Sequence, residues 1–159
     1  MKKRLLYLAA LFGAFLLIFA VQKPAFMLYN QIYSPDCSAG DYLSVMLHGL
    51  KLDNVMAGYL TLLPFTGIVF SIWFYRINLR KIFAAYYILA ALLVAIFFVV
   101  DMALYGFWNF KLDATVVFYM ESPANAMASA PIGFLVIRLL LILLLAFLYF
   151  VLLRKLTPS

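Results

Sequence analysis

Few residues of this chain can do chemistry, and they stand inside or beside long apolar runs. Cys37 is the single cysteine and His48 the single histidine. One cysteine makes neither an intrachain disulfide nor a CxxC redox pair. One histidine leaves no histidine-based metal cluster within the chain. The carboxylates are Asp36, Asp41, Asp53, Asp101, Asp113 and Glu121. Asp53 has two readings. It can cap a helix that starts at Val55, its carboxylate accepting the amides of residues 55 and 56 at the positive end of the dipole. It can also hold a substrate or a cation. Asp101, Tyr105 and Trp108 fall at i, i+4 and i+7, on one helix face. Tyr105 and Trp108 read as interface-belt anchors or as ligand contacts. Arg138 is the costly residue, about 9 Å inside an apolar run at 1.5 Å per residue. A charge there snorkels, pairs or marks a site. Arg138 can reach outer headgroups, pair with Asp101, or clamp a lipid phosphate through two parallel hydrogen bonds.

The elements that must position these residues are membrane helices. The chain is 69% hydrophobic and 11% charged. A soluble domain carries about 25% charge, so lipid is the solvent this composition fits. A helix crosses the hydrocarbon with about 20 apolar residues. Four stretches qualify, at about 5–22, 55–75, 82–101 and 131–153. Barrel strands would be short and alternating, and these runs are neither. The expected fold is all-α: a polytopic membrane protein, residues 1–159 forming one transmembrane domain of four helices, with short interfacial helices in the outer loops. Lys2-Lys3-Arg4 resembles the start of a signal peptide. The apolar run after it exceeds a signal core of about 7–15 residues, so it reads as a retained span.

Basic residues order the topology. Lys2, Lys3, Arg4, Arg76, Arg80, Lys81, Arg154 and Lys155 fall on one side of these spans. All six acids fall on the other, with Lys23, Lys51 and Lys111. Basic short loops stay in the cytoplasm, which puts both termini there and the functional loops outside. The net charge of +6 arises mainly from cytoplasmic anchors and is no nucleic-acid signal. In the first outer segment residues 25–29 remain apolar, either continuing span one or lying in the interface. Residues 41–50 have the spacing of a short interfacial helix. In the second, Asp113 starts a short helix to about Glu121, and Ser122-Pro123 starts another. Ala9/Gly13 and Ala10/Ala14 are small-xxx-small pairs suited to helix packing. No inverted repeat or broken-helix pair speaks for a transporter.

Two runs carry a resemblance. The first is His48-Gly49-Leu50-Lys51-Leu52-Asp53, leading into Ala57-Gly58-Tyr59-Leu60 and Leu63-Pro64. The second has Asp101, Leu104, Tyr105, Trp108 and Lys111-Leu112-Asp113-Ala114-Thr115, then Phe118-Tyr119, Ser122-Pro123 and Ala126-x-Ala128-Ser129. With the upstream Phe26-Met27-Leu28-Tyr29-Asn30, they resemble the N-terminal membrane part of lipoteichoic-acid-synthase-like proteins of the Bacteroidetes type. These are phosphoglycerol transferases of the sulfatase-like, alkaline phosphatase superfamily. The resemblance implies five membrane helices and then an extracytoplasmic domain with a metal-bound Thr nucleophile. That domain transfers a phosphoglycerol-type group from a lipid donor, or hydrolyses a sulfate or phosphate ester. The fifth span and the catalytic domain are absent from these 159 residues, so no nucleophile or metal ligand carries over; Thr61 and Thr115 do not match it. A divalent metal (Mn, Mg or Zn) is expected only in that domain. The expected role is a bacterial inner-membrane anchor that presents a phospholipid donor for cell-envelope modification. Its partners would be the lipid bilayer, the phospholipid donor and the catalytic domain, with no nucleic acid. Lys51, Asp101, Trp108, Lys111 and Arg138 would meet the lipid headgroup. The alternative is a stand-alone, non-enzymatic four-helix subunit or scaffold.

Overall fold

A computed structural model describes residues 2–33, 37–71, 79–108 and 131–156. Four helices hold nearly all of them: α1 (Lys2–Tyr29), α2 (Ala39–Phe70), α3 (Leu79–Trp108) and α4 (Ile132–Lys155). A single 3₁₀ turn, Gln31–Tyr33, follows α1, and no strand occurs among the described residues. All four helices are long and apolar enough to cross a membrane. The all-α, polytopic fold read from the sequence is the one observed.

The helix bounds differ from the sequence reading in instructive ways. α1 runs through Lys23 and Pro24, so residues 25–29 continue the first span. It ends at Asn30, whose backbone and side-chain amides both donate to Phe26 O, at 3.0 and 3.2 Å. α2 begins at Ser38, and the Asp41 carboxylate accepts the Ser38 amide at 2.7 Å and hydroxyl at 2.8 Å. The Ser38 side chain, then its backbone, holds the exposed Asp41 carboxyl below its ordinary value. Residues 41–50 are helical, as expected, but they are the first turns of α2 rather than a separate interfacial helix. Asp53 therefore caps nothing. It lies mid-helix and is buried. The short helices expected at residues 113–121 and from Ser122 lie outside the described residues.

The helices pack as two close pairs, α1 with α2 and α3 with α4, joined by lighter contacts between the pairs. Tyr7, Leu11, Ala14, Phe15 and Ile18 make one stripe of α1 at helical spacing. Phe83, Tyr87 and Ala90 of α3, Ala57 of α2 and Leu153 of α4 close around it. Small buried residues, Ala90, Ala91 and Ala95, allow the close approach. Ala9, Ala10 and Gly13 face outward instead, and only Ala14 of the two proposed small-residue pairs is buried. α4 turns Leu139, Leu140, Leu143, Leu144 and Phe147 outward, which suits a helix whose solvent is lipid.

One cross-helix hydrogen bond repairs a backbone defect. Pro64 lies buried inside α2 and lacks the amide that would bond Leu60 O. The Tyr86 hydroxyl of α3 donates to that carbonyl at 2.5 Å. Tyr86→Phe is expected to cost about 1 kcal/mol. In a Pro64→Ala background, where the helix supplies its own amide, the same change should cost much less. Reversible unfolding of the four variants in mixed micelles measures this coupling, and an equal cost in both backgrounds would refute it.

Candidate functional site

The bundle has two polar ends. At the first, Tyr7 stacks on Phe83 with centroids 5.9 Å apart and planes 17° apart, and its hydroxyl bonds the Tyr87 hydroxyl. Lys2, Lys3, Arg4, Arg80, Lys81, Arg154 and Lys155 sit at the helix ends beside this cluster. At the second end, the Lys23 ammonium is ion-paired with the Asp53 carboxylate, joining α1 to α2. Phe26 meets Tyr105 edge-on at 5.0 Å, joining α1 to α3. Arg4 to Lys23 spans about 29 Å, and Arg80 to Asp101 about 32 Å, at 1.5 Å per residue. Those lengths match the roughly 30 Å hydrocarbon slab. The second set of charges therefore lies at membrane-boundary depth, not mid-membrane.

Local sequence explains how Lys23 reaches Asp53. Gly49 and Asp53 are four apart and share a face of α2. The Lys23 side chain lies across Gly49, where a Cβ would collide with Lys23 Cε. The lysine stem crosses the gap left by that missing side chain. The pair is largely shielded, with the two side chains 16% and 9% exposed.

Beside the pair is an open cleft of ≈ 280 Å³ between α1, α2 and α3. Phe19, Gln22, Lys23 and Phe26 line it from α1, Asp53 from α2, and Phe97, Phe98 and Asp101 from α3. Gln22 Nε2 also donates to the Tyr149 hydroxyl at 3.0 Å, tying α4 to this wall. The described residues contain no group of three or more His, Cys, Asp or Glu side chains placed to hold a metal.

The residues singled out in the sequence separate here. Asp101 lines the cleft. Lys51 is exposed on α2 and is not part of the lining. Arg138 hydrogen-bonds the Tyr29 hydroxyl, and its guanidinium carbon lies 4.8 Å from the Tyr29 ring centroid and 4.7 Å from that of Phe134. Arg138 and Asp101 form no ion pair. The Arg138 Nε is buried without a hydrogen-bond partner. Lys111 and the Trp108 side chain lie outside the described residues, as do Asp113, Thr115 and Glu121. Thr61 bonds its own helix, donating to Ala57 O at 2.7 Å. Lys23, Gln22 and Gly49 were not among the site residues expected from the sequence. The available signal was Gln22-Lys23 interrupting an otherwise apolar run that continues to Tyr29.

The arrangement is that of a multi-pass membrane helix bundle with a charged cleft at one end. No family model, no curated protein and no solved structure matches the chain.

Lys23→Ala leaves Asp53 buried and unpaired. It is expected to destabilise the bundle by about 3 kcal/mol, the lower end for a broken buried pair. Replacing both partners, Lys23→Met with Asp53→Leu, should recover most of that loss. Unfolding in mixed micelles reads both, and a double variant as weak as Lys23→Ala would count against the pair.

Proposed function

We propose that this chain is the membrane-anchoring, donor-presenting part of a sulfatase-like phosphoglycerol or phospho-headgroup transferase acting on the bacterial cell envelope. The observation that carries the reading is the cleft at boundary depth, together with Arg138 at the same end of the bundle. A phospholipid headgroup sits at that depth, and a guanidinium is suited to its phosphate. The motif order in the two outer segments supports the family. The charge asymmetry supports an inner-membrane protein with cytoplasmic termini. In this reading Lys51, Asp101, Trp108, Lys111 and Arg138 contact the headgroup. The family's catalytic domain carries the metal and the nucleophile.

The orientation has a direct check in the single cysteine. A membrane-impermeant maleimide should label Cys37, between α1 and α2, in intact spheroplasts. Labelling only after lysis would reverse the topology. The role itself is tested with Lys51, Lys111 and Arg138 replaced together in the native protein. Lipid-donor turnover in proteoliposomes should fall at least about tenfold, ~1.4 kcal/mol of transition-state stabilisation. Unchanged turnover would sink the donor-presenting role. A native species several times heavier than 18.1 kDa, detected with an antibody to the outer loop, is expected. A species at 18.1 kDa would favour the stand-alone subunit instead.

A further inference from the structure

The end of the bundle opposite the cleft gathers positive charge. Tyr7 of α1 stacks on Phe83 of α3 near that end, and Phe26 meets Tyr105 near the other, so α1 and α3 run parallel. Lys3 and Arg4 stand four and three residues before Tyr7, and Arg80 stands three before Phe83. Residues at those spacings share a helix face. These cations therefore meet about one turn beyond the stacked rings. Another comes from α4, where Leu153 is buried in the same cluster and the Arg154 guanidinium carbon lies 5.7 Å from the Phe150 ring centroid. Lys3, Arg4, Arg80 and Arg154 are all exposed. The carboxylates of the described residues, Asp41, Asp53 and Asp101, lie toward the opposite end. The sequence from Ser71 to Asn78 holds no acid either. α1 and α3 have no acid in their first turns, although a helix start favours negative charge. Loop charge that only sets topology has no need to be gathered on neighbouring faces of separate helices. Like charges so gathered repel, and an anion from outside relieves them. Guanidinium groups suit phosphate, which they grip through paired hydrogen bonds.

We infer that the basic end of the bundle holds a lipid with two phosphates, one between Arg4 and Arg80 and the other on Arg154. The neighbouring side chains select a lipid as the carrier. Leu5, Leu6 and Ile82 follow the basic residues directly and turn outward, 75%, 73% and 50% exposed. Acyl chains cover such side chains, and a soluble polyphosphate does not. Basic pockets between membrane helices are suited to headgroups of this kind. The site lies at the end away from the cleft, so it does not rest on the donor-presenting reading.

The test uses the whole chain in phosphatidylcholine nanodiscs. Spin-labelled cardiolipin, which carries two phosphates, or spin-labelled phosphatidylglycerol, which carries one, is the minor component. The motionally restricted fraction gives each lipid's affinity relative to phosphatidylcholine. Cardiolipin should be held over phosphatidylglycerol by about fivefold or more, the order expected for one further basic contact at the surface. Arg4→Gln with Arg80→Gln should abolish that preference. Lys2→Gln with Lys155→Gln removes the same charge from the same end, on helix faces turned away from Tyr7 and Leu153, and should leave it intact. Circular dichroism melts show whether the arginine variant still folds; if it does not, Arg154→Gln serves in its place, with the same loss expected. Equal retention of the two lipids by the unaltered chain overturns the inference. So does an equal loss in the two charge-matched variants, which would make this end a diffuse basic surface. Displacement of the label by soluble pyrophosphate would overturn the lipid as the ligand. None of these results would touch the anchor reading, which fails on donor turnover alone.

Discussion

Hydrocarbon offers no water to complete a hydrogen bond that the protein leaves unmade. Several polar groups on the inner faces of these helices find their partners on other helices, while Thr61 and Asn30 bond within α1 or α2. Tyr86 reaches across to the carbonyl that Pro64 abandons. Tyr7 and Tyr87 satisfy one another inside the α1/α3 contact. Gln22 reaches Tyr149, and Lys23 reaches Asp53. Lipid tails are as apolar as leucine, so burial of apolar surface alone does not draw these helices together. Close packing over Ala57, Ala90, Ala91 and Ala95, with this small set of polar ties, holds the bundle.

The same solvent explains where the charges sit. A charged side chain is least costly at the edges of the slab and most costly at its centre. The described helices obey that gradient at both ends. Basic side chains flank the Tyr7 cluster, and the Lys23–Asp53 pair, Asp101 and Arg138 lie near the opposite end. Arg138 does not reach for a carboxylate. Its guanidinium lies against Tyr29 and Phe134, which lets a cation sit inside an apolar helix with aromatic faces beside it.

The spans were legible because twenty apolar residues in a row have few other uses. That Lys23, Asp53 and Asp101 share one end of the bundle was legible from the order of the spans. What the sequence hid depends on neighbours. Asp53 precedes an apolar run and has the right chemistry for a cap, yet α2 runs straight through it because Ser38 supplies the start and Lys23 supplies a partner from α1. Gly49 reads as a helix breaker in isolation, worth about 1 kcal/mol against alanine. Here it makes the space the lysine stem crosses. Ala9 and Gly13 have the spacing of a packing motif, but spacing does not say which face of α1 meets the bundle. The cleft was invisible for the same reason: its walls come from three helices, and only their register brings Gln22, Asp53 and Phe97 together.

That register points to what the ion pair is for. A shielded lysine–aspartate pair is weak evidence of stability, since two well-packed apolar side chains often do as well or better. Apolar helices in lipid can slide past one another by a turn and lose little, because one leucine face resembles the next. A single charged pair cannot slide, since either partner left alone in an apolar site is strongly destabilising. Lys23 across Gly49 to Asp53 therefore fixes α1 against α2 at one position along their length. That position also brings Gln22 and Phe26 to the cleft wall, with Phe26 against Tyr105 of α3. The pair is best understood as the device that sets the cleft's geometry.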